Sequence, residues 1–210
     1  MKTKNKIFYN IDDQLEESVE AASKLFLNGS IFIYPTDTIY GFGGNPFNDE
    51  VIKKISEVKG KGNWRRYIFL ISDIEILKNY VEIKSEKHLD FLLEIWPNPV
   101  SVILNLNKHY QEILGLKTGA FRIPNHRFCL RLLSELRMPL ISTSVNRTGK
   151  EPMNDPSMII QEFGDEVDAI FFTSQKSFFE ASTLIDLSDQ DPKLLREGKM
   201  KFVDLLKKLN

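Results

Sequence analysis

Apolar positions at Leu15, Val19, Ala22, Leu25 and Phe26 repeat at helical spacing behind Asp12 and Asp13, and Asn28-Gly29 supplies a stop, so the pattern predicts a first helix. Ser30-Ile31-Phe32-Ile33-Tyr34 then reads as a buried strand, ended by Pro35 because proline cannot donate to a central ladder. Val51, Ile52, Ile55 and Val58 predict a short helix opening at Asn48-Asp49, followed by a strand at Tyr67 to Ile71. Helical patterns return at 73 to 80 and at 86 to 96, the second capped by Ser85. Trp96-Pro97-Asn98-Pro99 breaks the chain before a strand from Val100 to Leu104. Further on come a strand at Ala120 to Ile123, a helix at His126 to Leu136 and a strand at Pro139 to Ser142 that runs into the polar turn 142 to 149. The pattern closes with a helix from Asp155 to Phe163, strands at Ala169 to Phe172 and Thr183 to Leu187, and a helix ending near Leu209. Strands and helices interleaved without a repeat argue for an α/β or α+β fold on a mixed sheet, as one domain over residues 1–210.

Composition narrows the chemistry. With 210 residues, 42% hydrophobic and 27% charged, the chain is long enough to bury a core without disulfides, and its single cysteine excludes an intrachain one. Cys129 sits in an apolar helical stretch and reads as packing, not as a nucleophile. Apolar runs such as Ile68 to Ile71 fall far short of the ~20 residues a bilayer requires. Lysines at 2, 4 and 6 are followed by Asn10, Asp12 and Asp13 before any apolar leader can form, so a cytoplasmic setting is expected. A formal net charge of −1 gives no global pull on nucleic acid or acidic membrane, and any anion site must be local.

The sequence lacks a phosphate loop, a dinucleotide fingerprint, a His-Glu-x-x-His pair and a Cys-x-x-Cys pair. His88, His109 and His126 are dispersed and read as surface or core residues, which disfavours metal hydrolysis. The densest cationic stretch is Lys53, Lys54, Lys59, Lys61, Arg65 and Arg66, six positive residues within fourteen. It reads either as a solvated helix end or, given the glycines in Lys59-Gly60-Lys61-Gly62, as a place where a polyphosphate meets both main chain and ammonium groups. Arg122, Arg147 and Arg196 each follow a strand or turn, where an isolated arginine is ordinarily a surface ion pair. Hydroxyl-rich turns at Thr36 and Thr38, Ser142 to Ser144, and Ser182-Thr183 lie beside strand ends. Together these pieces suit a nucleotide and a small carboxylate better than hydrolysis.

Gly29 to Gly43, with its Tyr34-Pro35-Thr36-Asp37-Thr38-Ile39-Tyr40-Gly41 centre, resembles the opening signature of the YrdC-like family of threonylcarbamoyl-adenylate synthases. Four further blocks follow in the family's order: the lysine turn at 59 to 70, Trp96 to Val100, Ser142 to Gly149, and Ser182 to Asp186 with Leu195 to Gly198. The resemblance implies a twisted mixed sheet with flanking helices around a large positively lined cavity. It also implies a nucleotidyltransferase that joins L-threonine, bicarbonate and ATP into threonylcarbamoyl-AMP with release of pyrophosphate, for N6-threonylcarbamoyladenosine modification of tRNA. Partner proteins would transfer the group to tRNA, since the chain resembles the short family form without an added C-terminal domain. Carried over by position, Thr38, Arg122, Ser142 and Ser182 would hold threonine. Lys59, Lys61, Ser144 and Asn146 would bind and polarise the ATP phosphates, with Thr118 and Arg196 at nucleotide-contacting positions and Arg65 restoring a guanidinium. Magnesium would arrive with ATP, held by phosphate oxygens and water, with no protein-only metal site.

The chain departs from the family at Lys59-Gly60-Lys61-Gly62, where Lys-x-Arg-Pro is usual, at Arg65-Arg66-Tyr67, and at Val145, where alanine is usual. The first exchanges a bidentate guanidinium for a point charge, and the last adds bulk expected to crowd the nucleotide. The competing reading is a YrdC-like paralogue that binds RNA, double-stranded or tRNA, with lost or altered adenylate chemistry.

Overall fold

The computed structural model describes residues 7–60, 67–175 and 180–209. Its strands are β1 (Ile7–Asn10), β2 (Phe32–Tyr34), β3 (Gly41–Gly43), β4 (Ile68–Leu70), β5 (Val100–Asn105), β6 (Thr118–Arg122), β7 (Leu140–Ser144), β8 (Ala169–Phe172), β9 (Thr183–Asp186) and β10 (Lys193–Arg196). The helices are α1 (Leu15–Leu27), α2 (Asp49–Lys59), α3 (Ile74–Lys78), α4 (Glu86–Ile95), α5 (Lys108–Leu114), α6 (Arg127–Leu136), α7 (Pro156–Phe163) and α8 (Phe202–Leu206). All ten strands join one twisted mixed sheet in the order β1-β8-β2-β3-β7-β4-β6-β5-β9-β10. The pairs β1/β8, β2/β8, β4/β6 and β5/β9 are parallel and the remaining neighbours antiparallel. The mixed α/β architecture expected from the sequence is what forms.

Two apolar layers cover the sheet. On one face α1 and α6 pack through Val19, Ala22, Phe26, Phe128, Leu132 and Leu133 against Phe32, Tyr34, Leu70, Leu140 and Phe171. On the other, α2, α4 and α7 bring Val51, Ile55, Leu92, Ile159 and Phe163 onto Phe42, Phe69, Phe121 and Ile141. The period of two along each strand decides which face a side chain joins. Along β7, Leu140 belongs to the first layer and Ile141 to the second, so Ser142 and Ser144 continue the face that carries Leu140. The helices start where side chains satisfy their first amides: Asn48 Oδ1 accepts from Glu50 N and Val51 N, Ser85 Oγ from His88 N, and Asp155 Oδ1 from Ser157 N and Met158 N.

Several elements differ from expectation. Neither β1 nor β3 is anticipated: β1 is four residues behind a polar leader, and β3 is Gly-Phe-Gly, whose glycines carry no strand propensity. Helix α5 has no fully buried residue, with only Tyr110 and Leu114 packed partly against the core, and β10 is exposed along its length. The strand expected to end at Ser142 runs two residues further, and the last helix stops at Leu206. Val145 is corrected outright: its side chain is fully buried in the second layer, packing into the core on the side opposite the serines instead of crowding a ligand.

Candidate active site

Two loops and four strands converge on a cavity of about 240 Å³ lined by Thr38, Tyr40, Ile68, Arg122, Ser142, Ser144, Ser182 and Arg196. The loop after β2 delivers Thr38, and its conformation is fixed by its own hydroxyls. Thr36 Oγ1 donates to Ile39 O and accepts from Thr38 N at 3.1 Å, and the two threonine oxygens lie 2.9 Å apart. Arg122 ends β6, where register sets it beside Leu70 of β4. Its side chain is 3% exposed; Nη1 donates to Thr38 Oγ1 at 2.9 Å and Nη2 lies 3.3 Å from Asp37 Oδ1.

Ser182 precedes β9. Its hydroxyl is 2.8 Å from that of Ser101, and its carbonyl oxygen accepts from Arg196 Nη2 at 2.9 Å and Nε at 3.3 Å. That approach depends on Gly198, where a Cβ would overlap the Ala181 carbonyl oxygen. Partial enclosure of its guanidinium against Ser182 and the Arg122 charge both push the Arg196 pKa down, although the residue as a whole is exposed, so the two guanidinia stand close enough to repel. A bound anion would relieve that repulsion.

At the other end of the cavity Ser144 Oγ donates to Asn146 Oδ1 at 2.6 Å, and the Asn146 amide is locked by the carbonyls of Arg147 and Lys150. Lys59, the last residue of α2, reaches across with its ammonium. Nζ donates to Ser144 O, to Asn146 O at 3.1 Å and to Asn146 Oδ1 at 3.0 Å, over the ring of Phe42 at 5.3 Å. Among the described residues no carboxylate pairs with it, and burial pushes its pKa down to about 8. A strongly donating cation held only by neutral oxygens can exchange one of them for a phosphate oxygen.

Not every expected residue joins this cluster. Thr118 lies four residues before Arg122 on the same face of β6 and does not line the cavity. Lys61 and Arg65, with Gly62, Trp64 and Arg66, fall outside the described residues. Arg147 is a structural ion pair: it bonds Glu162, Glu166 and Val58 O and lies over Phe163, tying α2 to α7. Cys129 is fully buried with its thiol on Pro35 O, and burial pushes its pKa up. His88 bonds Gln190 O and His109 stacks edge-on against Tyr110. His126 was missed as a neighbour of the site: it lines, with Thr36, Asp37 and Lys199, a second cavity of about 510 Å³ on the same loop. Asp37 was missed too, although the loop holding it was singled out. Among the described residues no group of three or more His, Cys, Asp or Glu is arranged to hold a metal ion, and no helix is long and apolar enough to cross a membrane.

A sequence model of the Sua5/YciO/YrdC family, described as telomere recombination, matches residues 24–198. Two curated relatives, each named threonylcarbamoyl-AMP synthase, are 26% identical (Pyrococcus abyssi, 96% of this chain) and 28% identical (Bacillus subtilis, 94% of this chain). This chain spans 60% and 59% of their respective lengths. The structure of Pyrococcus abyssi Sua5 complexed with L-threonine superposes with a TM-score of 0.84 at 25% identity, over 96% of this chain and 59% of that one. Escherichia coli YciO superposes with a TM-score of 0.80 over 93% of this chain and 95% of that one; at 24% identity this speaks to the fold alone.

Proposed function

Since the chain belongs to the Sua5/YciO/YrdC family, we propose that it is a threonylcarbamoyl-AMP synthase, making the adenylate from L-threonine, bicarbonate and ATP. The observation that carries this reading is the convergence on one cavity of Thr38, Arg122, Ser142, Ser144, Ser182 and Arg196, with Lys59 and Asn146 bonded to its Ser144 end. The names of the two curated relatives and the L-threonine complex of Sua5 support it.

The chemistry asks for alignment and neutralisation more than for a covalent nucleophile. The threonine amine takes up the carbon of bicarbonate as a carbamate, with loss of water. A carbamate oxygen then attacks the α-phosphorus, and the bond to the β-phosphate oxygen breaks to release pyrophosphate. In our assignment Arg122 pairs with the threonine carboxylate, with Thr38, Ser142 and Ser182 orienting the amino acid. Lys59 trades one of its carbonyl partners for a phosphate oxygen and offsets charge as pyrophosphate departs, while Ser144 and Asn146 shape that end. Arg196, seated on the Ser182 carbonyl beside Arg122, borders the amino acid as well as the nucleotide, and Thr118, Lys61 and Arg65 remain part of the proposed nucleotide set. Magnesium would come as part of the ATP substrate, held by phosphate oxygens and water, and would supply charge shielding there. The product would pass to proteins that transfer the threonylcarbamoyl group to tRNA.

The deciding experiment measures pyrophosphate release with ATP, magnesium and bicarbonate, with and without L-threonine, together with mass detection of the adenylate. Threonine-dependent release with that product is expected. ATP or RNA binding without turnover would overturn the synthase in favour of an RNA-binding paralogue.

ATP binding also acquires a pH dependence from Lys59. Its pKa of about 8 in the free protein means the ammonium is charged below that pH and increasingly neutral above it. Binding a phosphate favours the charged form, so ATP affinity should weaken as pH rises through about 8, approaching tenfold per pH unit well above it. Calorimetric titration of ATP without threonine checks this, and a flat profile from pH 7 to 9.5 contradicts a Lys59–phosphate contact.

A further inference from the structure

We propose that Asp37 sets the charge selectivity of the amino-acid end of the cavity, so that this end accepts a singly charged carboxylate and turns away doubly charged phosphate. The inference rests on the synthase reading and deepens it at a residue to which that reading gives no task.

Asp37 is held with its side chain 8% exposed: Oδ2 accepts from Asn125 N at 3.2 Å, and Oδ1 faces Arg122 Nη2 at 3.3 Å without a hydrogen bond. Arg122 Nε, equally enclosed, also lacks a partner, so this guanidinium keeps donor capacity inside a covered site. The other charged groups around it are few. Arg196 stands on Ser182, near enough for Arg122 to act on its charge. Lys199 donates to the Asp37 carbonyl oxygen from the side of the second cavity, and Asp12 is engaged by Thr173 and Ser174. His126 feels Asp37 and Arg122, and burial lowers its pKa and favours the neutral ring.

The two guanidinia and Asp37 therefore present one net positive charge, which one carboxylate neutralises. Without Asp37 they would present two, a match for a phosphate dianion. Discrimination matters here because both ends share one cavity: Ser144, at the Lys59 end, and Arg122 line the same space. A triphosphate seated backwards would block the amino acid. At the few-ångström separations involved, a unit charge at an effective dielectric of about 20 changes the relative affinity of a dianion and a monoanion by at least about tenfold.

The test titrates L-threonine into the purified full chain by calorimetry, with sulfate as the dianion probe. For the unmodified protein, sulfate at a hundredfold excess over the threonine Kd is expected to leave threonine binding unchanged. In Asp37→Asn the sulfate concentration that halves threonine binding, divided by the threonine Kd, should fall at least tenfold, and Asp37→Asn with Arg196→Gln should restore it. A merely loosened site weakens both ligands and leaves that ratio fixed, which would overturn the proposal. So would ready displacement of threonine by sulfate from the unmodified protein, a result that needs no variant to fold. Failure of the unmodified protein to bind threonine at all overturns the synthase reading and this inference with it; threonine binding with an unchanged ratio overturns this inference alone.

Discussion

Adenylate formation by a Lys59→Ala variant is expected to fall by roughly 10²–10³-fold, the loss typical of removing one preorganised donor from a developing charge. The ammonium is anchored on Ser144 O, Asn146 O and Asn146 Oδ1 before any ligand arrives, so it needs little reorganisation when phosphate replaces one of them. The same truncation should cost the fold little. Lys59 carries a desolvation penalty, visible in its lowered pKa, and its partners stand next to a cavity where water can replace it. Steady-state kinetics beside a thermal melt separates the two effects. Turnover near that of the parent would remove Lys59 from the phosphate site, and a collapsed melting curve would mark it as structural.

The second large effect is expected at Arg122. Arg122→Ala should raise the threonine KM by about 100-fold while leaving the ATP KM within about threefold, because a charge-assisted pair with a carboxylate is lost at one end of the cavity only. Stability will suffer as well: removing the guanidinium leaves Asp37 buried without its counter-charge, which typically costs about 3–5 kcal/mol. Arg122→Gln is therefore measured alongside, since its amide fills part of the space and can still donate to Thr38. Unchanged threonine saturation in a folded variant would reject the carboxylate contact.

How much of this was legible in the sequence depends on whether the signal was local. Helices α2, α4 and α7 announced themselves through Asn48, Ser85 and Asp155, side chains that bond amides two or three residues away. The buried strands β2, β4 and β8 showed as short apolar runs. Helix α5 and strand β10 escaped because their apolar signals are short: α5 sets only Tyr110 and Leu114 partly against the core between Asn107 and a left-handed Gly115, and β10 rests on backbone pairing with β9.

The site divides in the same way. Motif resemblance found Thr38, Arg122, Ser142, Ser144 and Ser182, which the fold gathers into one cavity. Asp37 was overlooked because a carboxylate between two threonines looks like turn chemistry until β6 brings Arg122 against it from 85 positions away. Val145 was misjudged because its distance from Ser144 along the chain is small while the strand's alternation sends it to the opposite face.

That alternation gives β7 a peculiar evolutionary constraint. Because the strand is antiparallel to both β3 and β4, its sidedness is fixed on two borders at once. Point replacements at its core-facing positions can be absorbed one at a time, but a deletion or insertion of a single codon that slid the strand by one position would turn it inside out. Ile141 and Val145 would then face the cavity, and the serines would be pressed into the oily layer beneath α2 and α7. Lineages carrying this fold should therefore exchange the core-facing residues of this stretch while keeping its serines, and hardly change its length at all.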